Sequence, residues 1–131
     1  MRAIGSELST KPRRIKIAVI DDDETIRTLG AIHLENAGYE VMLAADGIEG
    51  GHMILANAPD LILCDVEMPY LNGYELAAAL KADAATRDIP LVFLTTRDDV
   101  DENAAKFSAA AYLRKPVTSD RLLRIVGLLT A

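Results

Sequence analysis

Short apolar stretches rich in β-forming residues alternate with longer amphipathic stretches along this chain, and this alternation constrains the fold more than any other feature. The five β-rich stretches are residues 15–20, 39–44, 61–64, 91–95 and 111–114. The five amphipathic stretches are residues 24–37, 47–57, 73–84, 99–109 and 119–129. Strands that alternate with helices form parallel βαβ units, and right-handed crossovers place the helices on both faces of one sheet. The sequence therefore predicts an α/β protein with a single open, parallel sheet.

The number of βα units selects the strand order of the predicted sheet. Five units, (βα)5, fit the doubly wound, flavodoxin-like order 2-1-3-4-5, in which the strand order reverses between strands 1 and 3. A chain of 131 residues is about the size of one domain. We assign residues 14–131 to that domain and interpret residues 1–13, which show no periodicity, as a flexible N-terminal segment.

Two features of the predicted helices are specific enough to compare with a structure. In the first helix Ile26, Leu29, His33 and Ala37 share one stripe, which we expect to face the core. Asp23 and Ser119 lie at the starts of helical stretches. A short polar side chain accepts hydrogen bonds from free amides at such positions, so we predict that both residues are N-caps.

Composition and charge exclude several classes of protein. Half of the residues are apolar and 26% are charged, as in ordinary globular domains, and no apolar run approaches the roughly 18 residues of a membrane span. Residues 15–131 hold 10 basic and 19 acidic residues, a net charge of −9, which argues against direct nucleic-acid binding. Cys64 is the only cysteine, so no intramolecular disulfide forms, and the N-terminus lacks a signal peptide's apolar segment. We expect a cytoplasmic protein with no membrane attachment.

Polar residues stand at the ends of four predicted strands, at the edge where such sheets bind ligands. Asp21 and Asp22 follow the first strand, Asp65 the third and Lys115 the fifth, while Thr95 ends the fourth. Crowded carboxylates raise one another's pKa unless a cation neutralises them, and hard oxygen ligands favour Mg²⁺. An ammonium and a hydroxyl are donors for anionic oxygens. Together these groups describe Mg²⁺-dependent phosphoryl transfer to an aspartate.

Each of these residues has a simpler interpretation when it is taken alone. An aspartate after a strand often only caps the next helix, and Asp65 could serve a turn. Thr95 could merely end its strand, and Lys115 could be a solvated surface charge. Their coincidence at one edge of the sheet favours a site.

Four motifs at the strand ends carry a resemblance to a known family. They are IAVIDDD at 17–23, LILCDVEMP at 61–69 with Asn72-Gly73 behind it, LTT at 94–96 and YLRKP at 112–116. Each motif is weak alone, but all four occur in order and each at a strand end. Over roughly residues 14–130 the chain resembles the receiver (CheY-like) domain of two-component response regulators.

The resemblance implies a chemical role for each matched residue of the site. Asp65 would be the phosphoacceptor, and Lys115 would bind a phosphoryl oxygen. Mg²⁺ would be held by Asp22 directly and by Asp21 through water. Asp65 and the backbone carbonyl of Glu67 would complete the protein ligands.

The resemblance also implies residues that time and transmit the phosphorylated state. Thr95 would be the switch hydroxyl, and the Tyr112 ring would follow it, changing the face formed by helix 4, strand 5 and helix 5. Glu67 and Arg97 occupy positions that tune phosphoryl lifetime in the family, in a direction that the sequence leaves open. Family members commonly have a cis peptide bond before the proline that is Pro116 here.

The chain departs from the family pattern at two places. Thr96 replaces the alanine that often follows the switch threonine, which would narrow access to the phosphoacceptor. Residues 108–111 replace a loop that often carries an acidic pair. That second change removes charge near the signalling face but alters no catalytic role.

These residues predict a phosphorylatable switch of a two-component phosphorelay that promotes only its own phosphorylation and dephosphorylation, and so is not an enzyme. A sensor histidine kinase or a histidine phosphotransfer protein would donate the phosphoryl group. An unknown downstream protein would bind the altered face. We expect a stand-alone receiver, either a monomer or a phosphorylation-dependent homodimer, although a receiver excised from a longer regulator is an alternative.

Two other classes of function stay open at this point. A receiver-fold interaction module that works without phosphorylation would be favoured by loss of Asp65 or Lys115, and both residues are present. A Mg²⁺-dependent phosphotransferase with an external substrate would need a substrate pocket or a cap domain. A chain of 131 residues leaves little room for either.

Overall fold

The computed structural model describes residues 13–131, so the predicted N-terminal segment lies outside the described residues except for Arg13. The strands are β1 (Lys16–Ile20), β2 (Glu40–Ala44), β3 (Leu61–Asp65), β4 (Leu91–Thr95) and β5 (Ala111–Arg114). The helices are α1 (Glu24–Asn36), α2 (Gly47–Asn57), α3 (Gly73–Ala82), α4 (Val100–Lys106) and α5 (Ser119–Thr130). Within residues 13–131, no helix is long and apolar enough to cross a bilayer.

All five strands form one parallel sheet in the order β2-β1-β3-β4-β5, which confirms the predicted order. The strand order reverses at β1, which pairs with β2 on one side and with β3 on the other. Ile17 of β1 is opposite Val41 of β2 and Leu61 of β3. The carboxyl ends of β1 and β3 are therefore neighbours. A crevice opens at this edge of the sheet, because the chain leaves β1 toward β2 and leaves β3 toward β4, in opposite directions.

The side chains alternate between the two faces of the sheet, and each face has its own apolar core. Ile20, Ile62 and Phe93 belong to the core beneath α2, α3 and α4. Val19 and Leu63 belong to the core beneath α1 and α5. Because helices cover both faces, every residue of β3 and β4 is buried.

The predicted inward stripe of α1 is wrong. Ile26 and Leu29 are 40% and 50% exposed and His33 is exposed, whereas Ala31 and Leu34 are buried. The helix carries two apolar stripes side by side, and helical periodicity does not say which of them packs. Packing against the sheet selects the second stripe, since Leu34 joins the core beneath α1 and α5.

The helix caps agree with the sequence prediction at Asp23 and differ from it at Ser119. The Asp23 carboxylate accepts a hydrogen bond from the Ile26 amide at 3.1 Å and caps α1. Ser119 is already the first residue of α5, and the Thr118 hydroxyl accepts from the Arg121 amide at 3.3 Å. The cap of α5 is therefore one residue earlier than predicted, because the helix begins with the serine itself.

Candidate functional site

Three carboxylates meet where β1 and β3 end. Carboxylate oxygens of Asp21, Asp22 and Asp65 all lie within 4.8 Å of one another. Asp21 and Asp65 are buried, whereas Asp22 is exposed. The parallel pairing of β1 with β3 places the two strand ends side by side, although the residues are more than forty positions apart in the chain.

Lys115 places a positive charge against two of these carboxylates. Its Nζ lies 2.9 Å from Asp21 Oδ2 and 3.3 Å from Asp65 Oδ1. Burial disfavours the ammonium, but the hydrogen bond to Asp21 and the charges of both carboxylates outweigh burial and raise the pKa of Lys115. Lys115 is therefore a charged donor at neutral pH. The peptide bond between Lys115 and Pro116 is cis, as in many members of the family that the sequence resembles.

The Asp65 carboxyl group is a weaker acid than an ordinary aspartate. Its pKa is raised to about 6, first by burial and then by the charge of Asp21, and Lys115 only partly offsets these effects. The three carboxylates thus carry more negative charge than one lysine neutralises. A divalent cation held by oxygen ligands would remove this excess.

A close approach of α3 holds the backbone around Asp65. The Gly73 amide donates to the Val66 carbonyl at 2.8 Å, and the Cys64 thiol donates to the Asp65 carbonyl at 3.1 Å. A Cβ atom at residue 73 would overlap the Asp65 carbonyl oxygen and lie 2.9 Å from Val66 Cα. Only glycine leaves room for this contact. Burial raises the pKa of the Cys64 thiol, which therefore stays protonated as a donor.

Thr95 is buried at the end of β4, and its hydroxyl contacts the loop that follows. Thr95 Oγ1 accepts a hydrogen bond from the Arg97 amide at 3.0 Å, and the Thr95 carbonyl accepts from the Lys115 amide at 2.9 Å. Tyr112 lies on β5 opposite Phe93, and it is 37% exposed. Thr95 is two residues after Phe93, so Thr95 and Tyr112 lie on the same face of the sheet.

A cluster of side chains beside Thr95 joins the β4–α4 loop to α3. Arg97 Nε and Nη2 donate to the two carboxylate oxygens of Asp99 at 3.0 and 2.7 Å. The Tyr74 hydroxyl donates to Asp99 Oδ1 at 2.9 Å, and the Arg97 guanidinium lies over the Tyr74 ring, 5.5 Å from its centroid. A longer ion pair of 3.8 Å connects Arg97 to Glu67.

Sequence reasoning identified Glu67 and Arg97 but missed Asp99 and Tyr74. A run of charged residues at the start of a helix is ordinarily exposed to solvent, so its position in the sequence does not distinguish Asp99 from its charged neighbours. Tyr74 is 25 positions from Asp99 and belongs to a different helix. The Arg-x-Asp spacing is a weak signal of an ion pair, and no signal in the sequence connects either residue to Tyr74.

Two cavities border the carboxylate cluster. One is polar, and it is lined by Asp22, Glu67, Met68, Asn72 and Arg97. The other is an apolar groove of about 450 Å³ between α1 and α5, and it reaches Thr96 and Lys115. The site is therefore open on two sides, and Thr96 lines the groove rather than the polar cavity.

Comparison with known proteins identifies the family. A family model of the response regulator receiver domain matches residues 17–127. The chain is 40% identical over 111 residues to the response regulator MprA of Mycobacterium tuberculosis, an alignment that covers 83% of this chain and 47% of MprA. The DNA-binding dual master transcriptional regulator RpaA of Synechocystis is 37% identical over 110 residues, covering 82% of this chain and 46% of RpaA. The chain belongs to the receiver domain family of response regulators, and it spans about half the length of these curated relatives.

Solved structures share the fold. The chemotaxis protein CheY4 of Vibrio cholerae superposes with a TM-score of 0.84 at 29% identity, covering 89% of this chain and 99% of that one. A response regulator receiver domain protein from Clostridium thermocellum gives a TM-score of 0.81 at 33% identity, covering 88% and 94%. The flavodoxin-like fold and the receiver class are thus established, and the chain falls among proteins of two-component signalling.

Proposed function

We propose that this protein is a phosphorylatable switch of a two-component phosphorelay, in which Asp65 accepts a phosphoryl group. The donor is a phosphohistidine of a sensor histidine kinase or of a histidine phosphotransfer protein. The observation that carries the proposal is the cluster of Asp21, Asp22 and Asp65 oxygens within 4.8 Å, with Lys115 Nζ against two of the carboxylates. The switch acts in the cytoplasm and promotes only its own phosphorylation and dephosphorylation.

The transfer forms one bond and breaks one. A carboxylate oxygen of Asp65 attacks the phosphorus of the phosphohistidine, and a P–O bond forms as the P–N bond breaks. The electron pair of the broken bond stays on the imidazole nitrogen, which takes up a proton from water. Lys115 donates to a phosphoryl oxygen and stabilises the charge that this oxygen carries during the transfer.

The residues at this site fit a magnesium ion. Asp21, Asp22 and Asp65 offer carboxylate oxygens, the Glu67 carbonyl would add a fourth, and Mg²⁺ prefers oxygen ligands of this kind. When bound, Mg²⁺ would neutralise the crowded carboxylates and the incoming phosphoryl oxygens. The raised pKa of Asp65 is due first to burial, and the charge of Asp21 adds to it, so a cation held by these carboxylates would relieve part of the shift.

The groove between α1 and α5 supports a protein as the phosphodonor. Ile26, Leu29 and Leu122 line the groove, which reaches Lys115 at the site. Ile26 and Leu29 are the exposed residues of α1 that the sequence predicted to be buried. An amphipathic helix of a partner would cover these side chains while its phosphohistidine reached Asp65. A small phosphodonor would need no such surface.

The signal is proposed to leave through the face formed by α4, β5 and α5. The Thr95 hydroxyl would move toward the phosphoryl group on Asp65, and the partly exposed Tyr112 ring would follow it. Phosphorylation adds charge and acceptor oxygens, and so it shifts a two-state equilibrium toward the form that binds them. Glu67 and Arg97 border the polar cavity beside Asp22 and would tune how long the phosphoryl group persists.

The test is the intact mass of the full chain after incubation with acetyl phosphate and Mg²⁺. Wild type is expected to gain one phosphoryl group, and Asp65→Asn is expected to gain none. Asp88→Asn is a matched control, because Asp88 is an exposed aspartate in the connection between α3 and β4. It should gain one phosphoryl group, as wild type does. Omitting Mg²⁺ should abolish the gain in every variant.

A strict requirement for a protein donor would also leave the mass unchanged, so a second readout is needed. Beryllofluoride mimics a phosphoryl group on aspartate, and with Mg²⁺ it should shift the NMR signals of Thr95 and Lys115. An unchanged mass together with an unchanged spectrum would overturn the proposal. The interaction module that works without phosphorylation would then be the better explanation.

A further inference from the structure

The residue that precedes α4 does not cap it. Asp99 occupies the N-cap position, yet its side chain makes no capping hydrogen bond. Both carboxylate oxygens accept hydrogen bonds from elsewhere: Oδ1 from the Tyr74 hydroxyl and Arg97 Nε, and Oδ2 from Arg97 Nη2. An aspartate at an N-cap ordinarily bonds to the helix amides. The carboxylate therefore connects the β4–α4 loop to α3 rather than stabilising α4.

Tyr74 gives this connection a rigid anchor. The Tyr74 ring packs edge-on against Phe93 of the sheet, with centroids 5.1 Å apart, and it stacks on Phe107 at 5.8 Å. Tyr74 is 8% exposed, so its ring belongs to the core and only its hydroxyl reaches the loop. The pKa of Tyr74 is raised to about 12 by burial and by the hydrogen bond to Asp99, so the hydroxyl stays a donor.

Arg97 joins the anchor to the switch hydroxyl. Its side chain is held by Asp99, while its backbone amide donates to Thr95 Oγ1 at 3.0 Å. Its backbone carbonyl accepts from Arg114 Nη1 at 3.0 Å. A displacement of the Arg97 backbone therefore changes the partner of the Thr95 hydroxyl, and the side-chain contacts oppose that displacement.

We propose that Tyr74, Asp99 and Arg97 form a latch that holds the β4–α4 loop and keeps the Thr95 hydroxyl on the Arg97 amide in the resting protein. This inference rests on the proposed function, because the latch matters only if Thr95 responds to a phosphoryl group on Asp65. The polar contacts of the Tyr74 and Asp99 side chains are with each other and with Arg97, not with the carboxylate cluster. Tyr74 and Asp99 are positioning residues that act through Arg97.

The proposal requires that these contacts be made in the resting state and lost in the active state. A ligand that binds the active state must break these contacts. Its apparent affinity is its intrinsic affinity multiplied by the fraction of molecules already in the active state. Loosening the latch should therefore strengthen binding of a phosphoryl mimic at Asp65, even though the ligand and its immediate contacts are unchanged. A residue with a purely structural role would weaken binding or leave it unaltered.

The experiment titrates the full chain with beryllofluoride in the presence of Mg²⁺ and follows it by NMR. Tyr74→Phe removes only the hydroxyl and keeps the ring, and Asp99→Asn removes the charge from the other end of the same hydrogen bond. Each variant is expected to bind beryllofluoride roughly fivefold more tightly than wild type, the lower end of typical coupling between sites. Glu102→Gln, which removes an exposed carboxylate from the first turn of α4, should bind as wild type does.

A second readout does not depend on phosphoryl chemistry. In the resting protein the Arg97 Nε–H resonance should be protected from exchange, and Asp99→Asn should remove that protection while Glu102→Gln keeps it. Wild-type affinity in both latch variants, or weaker binding than wild type, overturns the latch while the proposed function stands. A wild type that neither gains phosphoryl nor responds to beryllofluoride overturns the proposed function, and the latch with it.

Discussion

The helices α3 and α4 both begin near the carboxylate cluster, since Asn72 and Arg97 line the polar cavity beside Asp22, and they begin in opposite ways. At α3 the Asn72 side chain and the Glu75 side chain each accept a hydrogen bond from the other residue's amide, which completes a capping box. At α4 the N-cap Asp99 leaves the helix amides uncapped and binds Arg97 and Tyr74 instead. The start of α3 is capped by hydrogen bonds from its own backbone amides to its own side chains, whereas the residue before α4 bonds to side chains outside the helix.

This difference fits the function proposed for the site. If Asp65 accepts phosphoryl groups, its surroundings keep their geometry through each transfer, and Gly73 packs directly on the Asp65 backbone. The proposed switch moves the Thr95 hydroxyl, and local openings of a protein occur where few backbone interactions hold a segment. The comparison predicts that changes at Asn72 and Gly73 affect stability, whereas changes at Asp99 affect the switch.

The largest expected effect comes from closing the gap between α3 and β3. Gly73→Ala places a Cβ atom against the Asp65 carbonyl and Val66 Cα, so it should destabilise the protein by about 2–3 kcal/mol, as overpacking does. Urea denaturation measures the loss. The matched control is Gly127→Ala in α5, where no atom beyond the adjacent residues and backbone of its own helix lies within 4 Å of the new Cβ and stability should rise by about 0.8 kcal/mol. Equal stability of Gly73→Ala and wild type would show that the start of α3 can move away from the Asp65 backbone without cost.

The next largest effect on stability comes from the charge of Asp65. It is measured in protein kept metal-free with a chelator. The Asp65 pKa of about 6 lies above the ordinary value of 3.8, so the folded state binds the proton more tightly than the unfolded state. This contribution to stability is complete below about pH 4 and is lost as the pH rises through about 6. Asp65→Asn should therefore be more stable than wild type at pH 7 by about 2–3 kcal/mol, and the difference should vanish near pH 4.

Denaturation of both proteins across this pH range measures the difference. Parallel stability curves would show that the Asp65 carboxyl group titrates as it does in the unfolded chain. The surroundings of Asp65 in the folded state would then leave its pKa at the ordinary value.

The capping box predicts a smaller loss. Asn72→Ala removes the side chain that accepts from the Glu75 amide, so it should lower the free energy of unfolding by about 1 kcal/mol, the usual effect of losing an N-cap. Thermal denaturation followed by circular dichroism measures this loss. A variant as stable as wild type would mean that the capping box does not hold the start of α3.

The smallest effect on stability is expected at the corresponding position of α4. Asp99→Asn removes no cap, and its ion pair with Arg97 is more than one-third exposed on both sides, so solvent screens it. The thermal midpoint should therefore fall less than that of Asn72→Ala. An equal or larger fall would break the comparison, because Asp99 would then stabilise α4 as Asn72 stabilises α3.

Much of the candidate site was predictable because it lies on strand ends. Asp21, Asp65 and Lys115 follow or end strands, and parallel strands bring those ends to one edge. Asp23 was predictable as a cap because its partner is only three residues away. The inward stripe of α1 and the cap of α5 were predicted wrongly, since each depended on a choice between neighbouring positions of similar chemistry.

The strand order and the meeting of three carboxylates with a lysine follow from the order of residues along the chain, because βαβ connections have one hand and one direction. The contacts of Asp99 have a different origin. They arise when groups distant in sequence compete for the same partner, as when Tyr74 and Arg97 bind a carboxylate that would otherwise cap α4. Such a competition is settled only by which groups the folded chain brings within hydrogen-bonding distance.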